Sequence, residues 1–198
     1  MFDILYNVDV AVFYFINHTL SNPLFDKFFA FITEVKHWYI AYIILWFIAF
    51  FKGGRVGKIA AIGVLILITV SDQVSSQLLK NFFARIRPCN ALPDVNILAG
   101  CTGSYSMPSS HAVNNFAVAV FFYRIYPKLK WVLLGSAFVI ALSRPYVGVH
   151  YPSDILVGAL IGSLFGYIFS VAVLRINTYI EEKHSGKKLY EIVKLKKK

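Results

Sequence analysis

The chain has 198 residues, 58% of them hydrophobic and only 15% charged, and its mean hydropathy is +0.62. That length suits one domain, and the composition excludes an ordinary soluble globule, leaving a membrane protein as the expected class. Twenty Lys and Arg against ten Asp and Glu give a formal charge of +10, which suits nucleic acid, a membrane surface or an anionic substrate, so its placement must decide.

Residues 1–36 are aromatic-rich but broken by Asp9, Asn17, His18, the Asn22-Pro23 pair, Asp26 and Lys27. Their apolar runs are too short to cross ~30 Å of hydrocarbon alone. Two helices at or partly within the interface are expected, with one irregular span as the alternative. His37 to Phe51 is the first firm span and ends in Lys52, Arg55 and Lys58. The second resumes at Ile59 and runs through Asp72, Ser75 and Ser76 towards Lys80 and Phe83; residues 84–107 read as a long polar loop. Ala112 to Tyr123, Trp131 to Leu142 and Ile155 to Leu174 give three more. The expected fold is an all-α, polytopic transmembrane helical bundle of five firm spans, with room for a sixth and with N-terminal interfacial helices. Residues 37–176 form the expected catalytic domain, and 177–198 a basic tail.

The loops at 52–58 and 124–130 and the tail from Arg175 share one side and are rich in Lys and Arg, which assigns them, and the C-terminus, to the cytoplasm. The tail lysines Lys187, Lys188, Lys194 and Lys196 to Lys198 suit anionic lipid better than nucleic acid, because they lack aromatic interleaving. Lys80 to His111 and Ser143 to Asp154, far apart in sequence, then share the outer face.

The stretch Ser-Arg-Pro-Tyr-Val-Gly-Val-His-Tyr-Pro-Ser-Asp, Ser143 to Asp154, interrupts an apolar chain with ionisable groups. Pro152 suits the first turn of a helix, where its missing N-H costs nothing, so His150 falls just outside that helix and Asp154 in its first turn. The carboxylate can then fix one imidazole nitrogen and leave the other free, the arrangement of an oriented nucleophile. The bland alternative is a capping pair beside an interfacial arginine. Arg144 offers a planar fork of donors suited to phosphate oxygens. Across the same face, Lys80 is followed by Arg87-Pro88, and Pro108-Ser109-Ser110-His111 opens the third span, where Ser109 or Ser110 can cap the helix. Preorganised cations and amides would stabilise the equatorial oxygens of a phosphoryl group, His150 would attack it, and His111 would protonate the departing oxygen. The outer-face acids are only Asp94 and Asp154, too few for a magnesium cluster, and there is no Cys/His set for zinc, so no metal or other cofactor is expected.

Together these motifs resemble the three motifs of the type 2 phosphatidic acid phosphatase family, with order and helix placement matching from about residue 57 to 175. The resemblance implies an all-helical membrane enzyme that hydrolyses lipid phosphates through a phosphohistidine, without metal. It maps the nucleophile onto His150, its orienting carboxylate onto Asp154 and the acid onto His111. Phosphate binding falls to Lys80, Arg87, Ser109, Ser110 and Arg144. The chain departs from the family where Ser110 replaces the usual Gly. Its amide serves the phosphate if the backbone there is helical, but a left-handed conformation would be costly.

The expected function is a metal-independent lipid phosphate or pyrophosphate phosphatase of a bacterial inner membrane, with its active site facing the periplasm or exterior. Within the family, candidate substrates are undecaprenyl pyrophosphate, phosphatidylglycerophosphate, phosphatidic acid and the 1-phosphate of lipid A. Its partners are the lipid phosphate and the bilayer, not nucleic acid, and the sequence does not fix an oligomeric state. The alternative is a transporter or channel with a basic vestibule that collects anions. Asp72 is expected to bond a neighbouring helix, such as the one carrying Ser143. Gly158, Gly162 and Gly166 are expected to pack within the molecule, with dimerisation as the alternative. Cys89 and Cys101, on the outer face, are expected to form a disulfide that positions Arg87, against the alternative of two reduced thiols.

Overall fold

The computed structural model describes residues 2–195, with side chains described for residues 4–184. The described residues form helices joined by turns and loops, with no strand among them. Helix α1 (Phe2–Tyr14) widens into a π turn (Phe15–Thr19), and α2 follows (Pro23–Thr33). The Asn22-Pro23 pair that breaks the apolar run is the start signal of α2. Asn22 Oδ1 accepts the Leu24 and Phe25 N-H groups at 3.1 and 3.0 Å, and Pro23 takes the first helical position, where no N-H is needed.

A 3-10 turn (Val35–Trp38) leads into α3 (Tyr39–Lys52). Then α4 (Gly54–Gln73) continues through a π turn (Val74–Leu79) into α5 (Lys80–Phe83), making one rod. Ala84, in a left-handed conformation at φ 46°, ends it. The loop beyond contains α6 (Pro88–Ala91), and the Cys89–Cys101 disulfide, with an S–S distance of 2.04 Å, ties it across. Helices α7 (Ser110–Ile125), α8 (Lys130–Tyr146) and α9 (Pro152–Leu195) complete the bundle. Helix α8 runs past Leu142, carrying Ser143 and Arg144 on its last turn with Pro145 still inside the helix.

Among the described residues, three stretches are long and apolar enough to cross a bilayer: Val35–Lys52, Gly54–Ala91 and Pro152–His184. Helices α7 and α8 have 16 and 17 residues, about 25 Å each at 1.5 Å rise per residue. Helix α7 is the centre of the bundle, packed by α4, α8 and α9, and it buries Ala112, Val113, Ala117, Ala119, Val120 and Phe121. Lipid tails are as apolar as Leu, so close packing must hold these helices together in place of apolar transfer from water. Small residues provide it. Gly158, Gly162 and Gly166 line the seam where α9 meets the backbone of α7, the intramolecular packing expected.

Asp72 bonds a neighbouring helix as expected, but that helix is α7 and not the one carrying Ser143. Its Oδ1 accepts Asn114 Nδ2 of α7 at 2.9 Å, while Ser71 donates to the Asn114 carbonyl oxygen at 2.8 Å, and the Ser143 hydroxyl bonds Ile140 O of its own helix. The central position of α7 makes it the nearer partner. Below the loops, Ile16, Tyr146, Val147 and Val149 form a buried cluster that joins the turn after α1 to the end of α8. The tail residues Lys187, Lys188 and Lys194 lie where side chains are not described, and Lys196 to Lys198 lie outside the described residues.

Candidate active site

Helix α9 starts at Pro152, which leaves His150 in the short link from α8 and brings Asp154 into the first helical turn. Asp154 is fully buried, and its two oxygens divide their work. Oδ1 accepts Arg85 Nη1 at 2.9 Å. Oδ2 accepts the Tyr151 N-H at 2.8 Å and the Ser106 hydroxyl, and lies 3.4 Å from His150 Nδ1. Ser106 Oγ is itself 3.3 Å from His150 Nδ1, so the carboxylate meets the imidazole both directly and through a hydroxyl. On the other side of the ring, Arg87 Nη1 lies 3.2 Å from Nε2. A carboxylate at Nδ1 and a guanidinium donor at Nε2 select one tautomer, with the proton on Nδ1 and a lone pair on Nε2.

Burial pushes the His150 imidazole down to about 3. The neighbouring Asp154 opposes that shift, and Arg144 and Arg87 add to it. The ring is therefore neutral in the folded protein at neutral pH. A group whose folded pKa lies below its unfolded value, ~6.5 for His, contributes stability that is present above pH 6.5 and lost as pH falls towards the folded value. The melting temperature in detergent should accordingly fall between pH 6.5 and 4, and His150→Gln should flatten that slope. An unchanged slope in the variant would assign the pH dependence to other groups.

Arg87 is held by the loop that follows the disulfide. Its Nε and Nη2 donate to Ser104 O and Oγ at 2.8 and 2.9 Å, and Nη1 also reaches Val149 O at 3.1 Å. The Cys89–Cys101 disulfide joins the chain just after Arg87 to the chain just before Ser104. Lys80, Arg87 and Arg144 are 8, 5 and 9% exposed, so three cations are buried on one side of the bundle. Buried like charges repel one another and are costly unless an anion joins them. Two buried atoms here lack any hydrogen-bond partner, Arg144 Nε and Ser109 Oγ. Orphaned donors of this kind are rare and suit an oxyanion.

Ser109, one of the two serines able to cap α7, occupies its N-cap position, but its hydroxyl makes no capping bond. Ser110 is the first residue of the helix and is absent from the positive-φ positions, so it carries no left-handed strain. Its hydroxyl accepts Ser75 Oγ at 3.2 Å, which occupies the group that distinguishes it from Gly. His111 follows in the first turn of α7, where Arg144, His150 and Lys80 all act on it electrostatically. Every residue singled out from the motifs therefore converges on one face of the bundle. Beside it, a cavity of about 490 Å³ opens between the turn after α1 and the 94–96 loop, lined by Asn17, His18, Ser21 and Asp94 but by none of these residues.

Other contributors had no assigned role in the sequence. Ser106, Thr33, Arg85 and Asp9 join the cluster, with Arg144 Nη1 donating to Thr33 Oγ1 at 2.6 Å. Of these, Asp9 showed in the sequence as a break in an apolar run and Arg85 as a basic residue between Lys80 and Arg87. Among the described residues, no three His, Cys, Asp or Glu side chains gather as ligands for a metal ion.

The model of the PAP2 superfamily matches residues 60–177, which contain all of these motifs. The chain belongs to the PAP2 superfamily. It is 29% identical to a lipid A 4'-phosphatase of Bacteroides thetaiotaomicron over 98% of this chain and 92% of that protein. It is 33% identical to a lipid A 4'-phosphatase of Porphyromonas gingivalis over 75% of this chain and 66% of that one. Among solved structures, that of Aquifex aeolicus LpxE superposes with a TM-score of 0.63 at 31% identity, covering 81% of this chain and 93% of that one. As a PAP2 protein with apolar helices, the chain is a bacterial membrane lipid phosphatase, and its all-helical bundle is the fold of that family.

Proposed function

We propose that the protein removes the 4'-phosphate of lipid A, using His150 as nucleophile. The observation that carries the chemistry is the pairing on the His150 ring, with Nδ1 against Asp154 and Ser106 and a lone pair on Nε2 facing the buried cations. The substrate rests on the two relatives named lipid A 4'-phosphatase, one of which aligns over nearly its whole length. This phosphomonoester differs from the four substrates that the motifs bring to mind.

The phosphate enters among Lys80, Arg87 and Arg144, with the Ser109 hydroxyl and the first amides of α7 as further donors. Arg87 shifts its donor from Nε2 to a phosphate oxygen, which uncovers the lone pair. Nε2 then bonds to phosphorus as the bond from phosphorus to the sugar oxygen breaks, and His111 gives its proton to that oxygen. Asp154 stabilises the positive charge that the imidazole acquires. A water then attacks the phosphohistidine, losing its proton to His111, and inorganic phosphate leaves with His150 restored. Fixed donors aimed at the developing charge supply most of the acceleration in such sites. No step calls for a metal. The positive-inside distribution of Lys and Arg supports an active site on the outer face and a cytoplasmic C-terminus.

The test is phosphate release in detergent with EDTA from lipid A carrying both phosphates, alongside undecaprenyl pyrophosphate, phosphatidylglycerophosphate and phosphatidic acid. Lipid A should react fastest and yield the product that keeps only its 1-phosphate, identified by mass spectrometry. His150→Ala should abolish release, by about 10⁴-fold or more. Faster release from another lipid would overturn the substrate. Loss of wild-type activity in EDTA, or activity surviving in the variant, would overturn the mechanism.

A further inference from the structure

We infer that Asp9 and Arg85 are positioning residues for the reaction, through which the N-terminal helix sets the charge and orientation of the carboxylate behind His150. The inference deepens the reading of His150 as nucleophile and rests on it.

Asp9 lies in α1, is 9% exposed, and stands in a helix otherwise rich in exposed apolar side chains. A buried carboxylate in such a place is costly unless it is fully paired. It is paired, and only with groups around the site. Oδ1 accepts the Ser153 N-H at 2.8 Å, satisfying a donor in the first turn of α9. Oδ2 accepts Arg85 Nη2 at 2.7 Å and the Ser153 hydroxyl. The other arm of the same guanidinium, Nη1, holds Asp154 at 2.9 Å and reaches Ser153 Oγ at 2.6 Å. Its plane lies over the Tyr151 ring, 3.8 Å from Cζ to the centroid. The order is thus Asp9, Arg85, Asp154, His150. Arg85 touches neither His150 nor the orphaned donors, so its effect on the reaction passes through Asp154.

Charge decides what this arrangement does. One guanidinium between two carboxylates leaves the trio a net negative charge, which favours the cationic imidazole formed when Nε2 bonds to phosphorus. Without the Asp9 charge, Arg85 would be committed to Asp154 alone, and the trio would be neutral. The geometry also makes docking of α1 a condition for a competent site. Asp9 contacts residues of α9 and of the loop after α5, which hold the orienting carboxylate and the basic motif.

Asp9→Asn is the informative variant, because Asn keeps an acceptor for the Ser153 N-H while removing the charge from Arg85. Removal of an orienting carboxylate itself costs about 10⁴ in kcat. A group one step further out should cost less, and kcat for lipid A should fall about 10- to 100-fold with KM within about twofold. Vanadate, which bonds to the imidazole as a five-coordinate mimic of the phosphoryl group under attack, should bind about 10-fold more weakly. Inorganic phosphate, held by Lys80, Arg87 and Arg144, should bind as in wild type. Arg85→Lys, which keeps the charge but loses the fork, should retain more activity than Arg85→Gln.

Wild-type kcat and vanadate affinity in Asp9→Asn would overturn the inference. So would equal loss of kcat, KM and phosphate affinity together with a lowered melting temperature, the pattern of a merely structural clamp. If the wild-type protein released no phosphate from any lipid, the proposed function would fall. Vanadate affinity of the variant against wild type would still decide the role of Asp9.

Discussion

Asp154→Asn is expected to lower kcat by about four orders of magnitude while leaving KM within about threefold. The carboxylate is acceptor-only and receives three donors besides the imidazole: the Tyr151 amide, the Ser106 hydroxyl and Arg85 Nη1. Asn would replace one acceptor oxygen by an NH₂. If the NH₂ took the Oδ1 position it would face Arg85, donor against donor. If it took the Oδ2 position it would face the Tyr151 amide and present a donor to His150 Nδ1, driving the ring proton to Nε2. That proton would occupy the lone pair meant for phosphorus. The variant also loses the negative charge behind the developing cation. Lys80, Arg87 and Arg144, the proposed phosphate-binding residues, do not bond Asp154 directly, so ground-state binding should survive. Steady-state kinetics on detergent-solubilised protein, with a melting curve to establish folding, would check the expectation. A kcat within tenfold of wild type in folded variant would remove Asp154 from the reaction.

Gly162→Ala should destabilise the bundle beyond the ~1–3 kcal/mol typical of overpacking. A Cβ at this position would run into the Val113 carbonyl oxygen, and it would lie 2.9 Å from Val113 C and 3.0 Å from Ala117 N. All three atoms are backbone of α7, so no rotamer change can give way. The helices must separate, and the separation cannot be local. A Cβ at Gly158 would meet Ala112 Cβ and Ser109 O at 2.9 Å, and one at Gly166 would run into the Ala117 carbonyl in the same seam. Helix α7 carries Ser109, Ser110 and His111, and α9 carries Asp154, so a wider seam would also move the proposed acid away from the nucleophile. Gly135→Ala in α8 is the control, since an added Cβ there meets nothing within 4 Å and Ala favours a helix over Gly by about 1 kcal/mol. Melting temperatures of the two variants should move in opposite directions. A Gly162→Ala protein as stable as wild type would mean that the seam is looser than its backbone contacts require.

Much of the architecture follows from local pattern. The long apolar runs become helices, Asn22-Pro23 and Pro152 mark where two of them begin, and the four-residue glycine step places a close seam on the face of Asp154. The motif residues could also be grouped, because the number of apolar runs between them sends both segments to the same membrane face. Helix ends were less legible. Apolarity fades at Leu142, but α8 continues through Ser143 and Arg144 because buried neighbours, rather than lipid, receive those polar side chains.

Partners were the least legible of all. Asp9 reads only as a break in an apolar run from its own segment, since an isolated carboxylate in an apolar helix has no local clue to its ligand. Its partners are Arg85 and Ser153, separated from it by 76 and 144 positions. Asp72 met Asn114 rather than the helix of Ser143, and Ser106 came to rest between Asp154 and His150 from a loop without helical periodicity. Local pattern along the chain is enough to set the helices, the chemical types gathered at one face and the spacing that puts Asp154 behind His150. Both the capping chemistry and the four-residue reach that set these features act within a turn or two of chain. Which buried charge holds which depends on the packing of the helices, because a hydrogen bond is made over about 3 Å and the groups that meet at that distance come from distant parts of the chain.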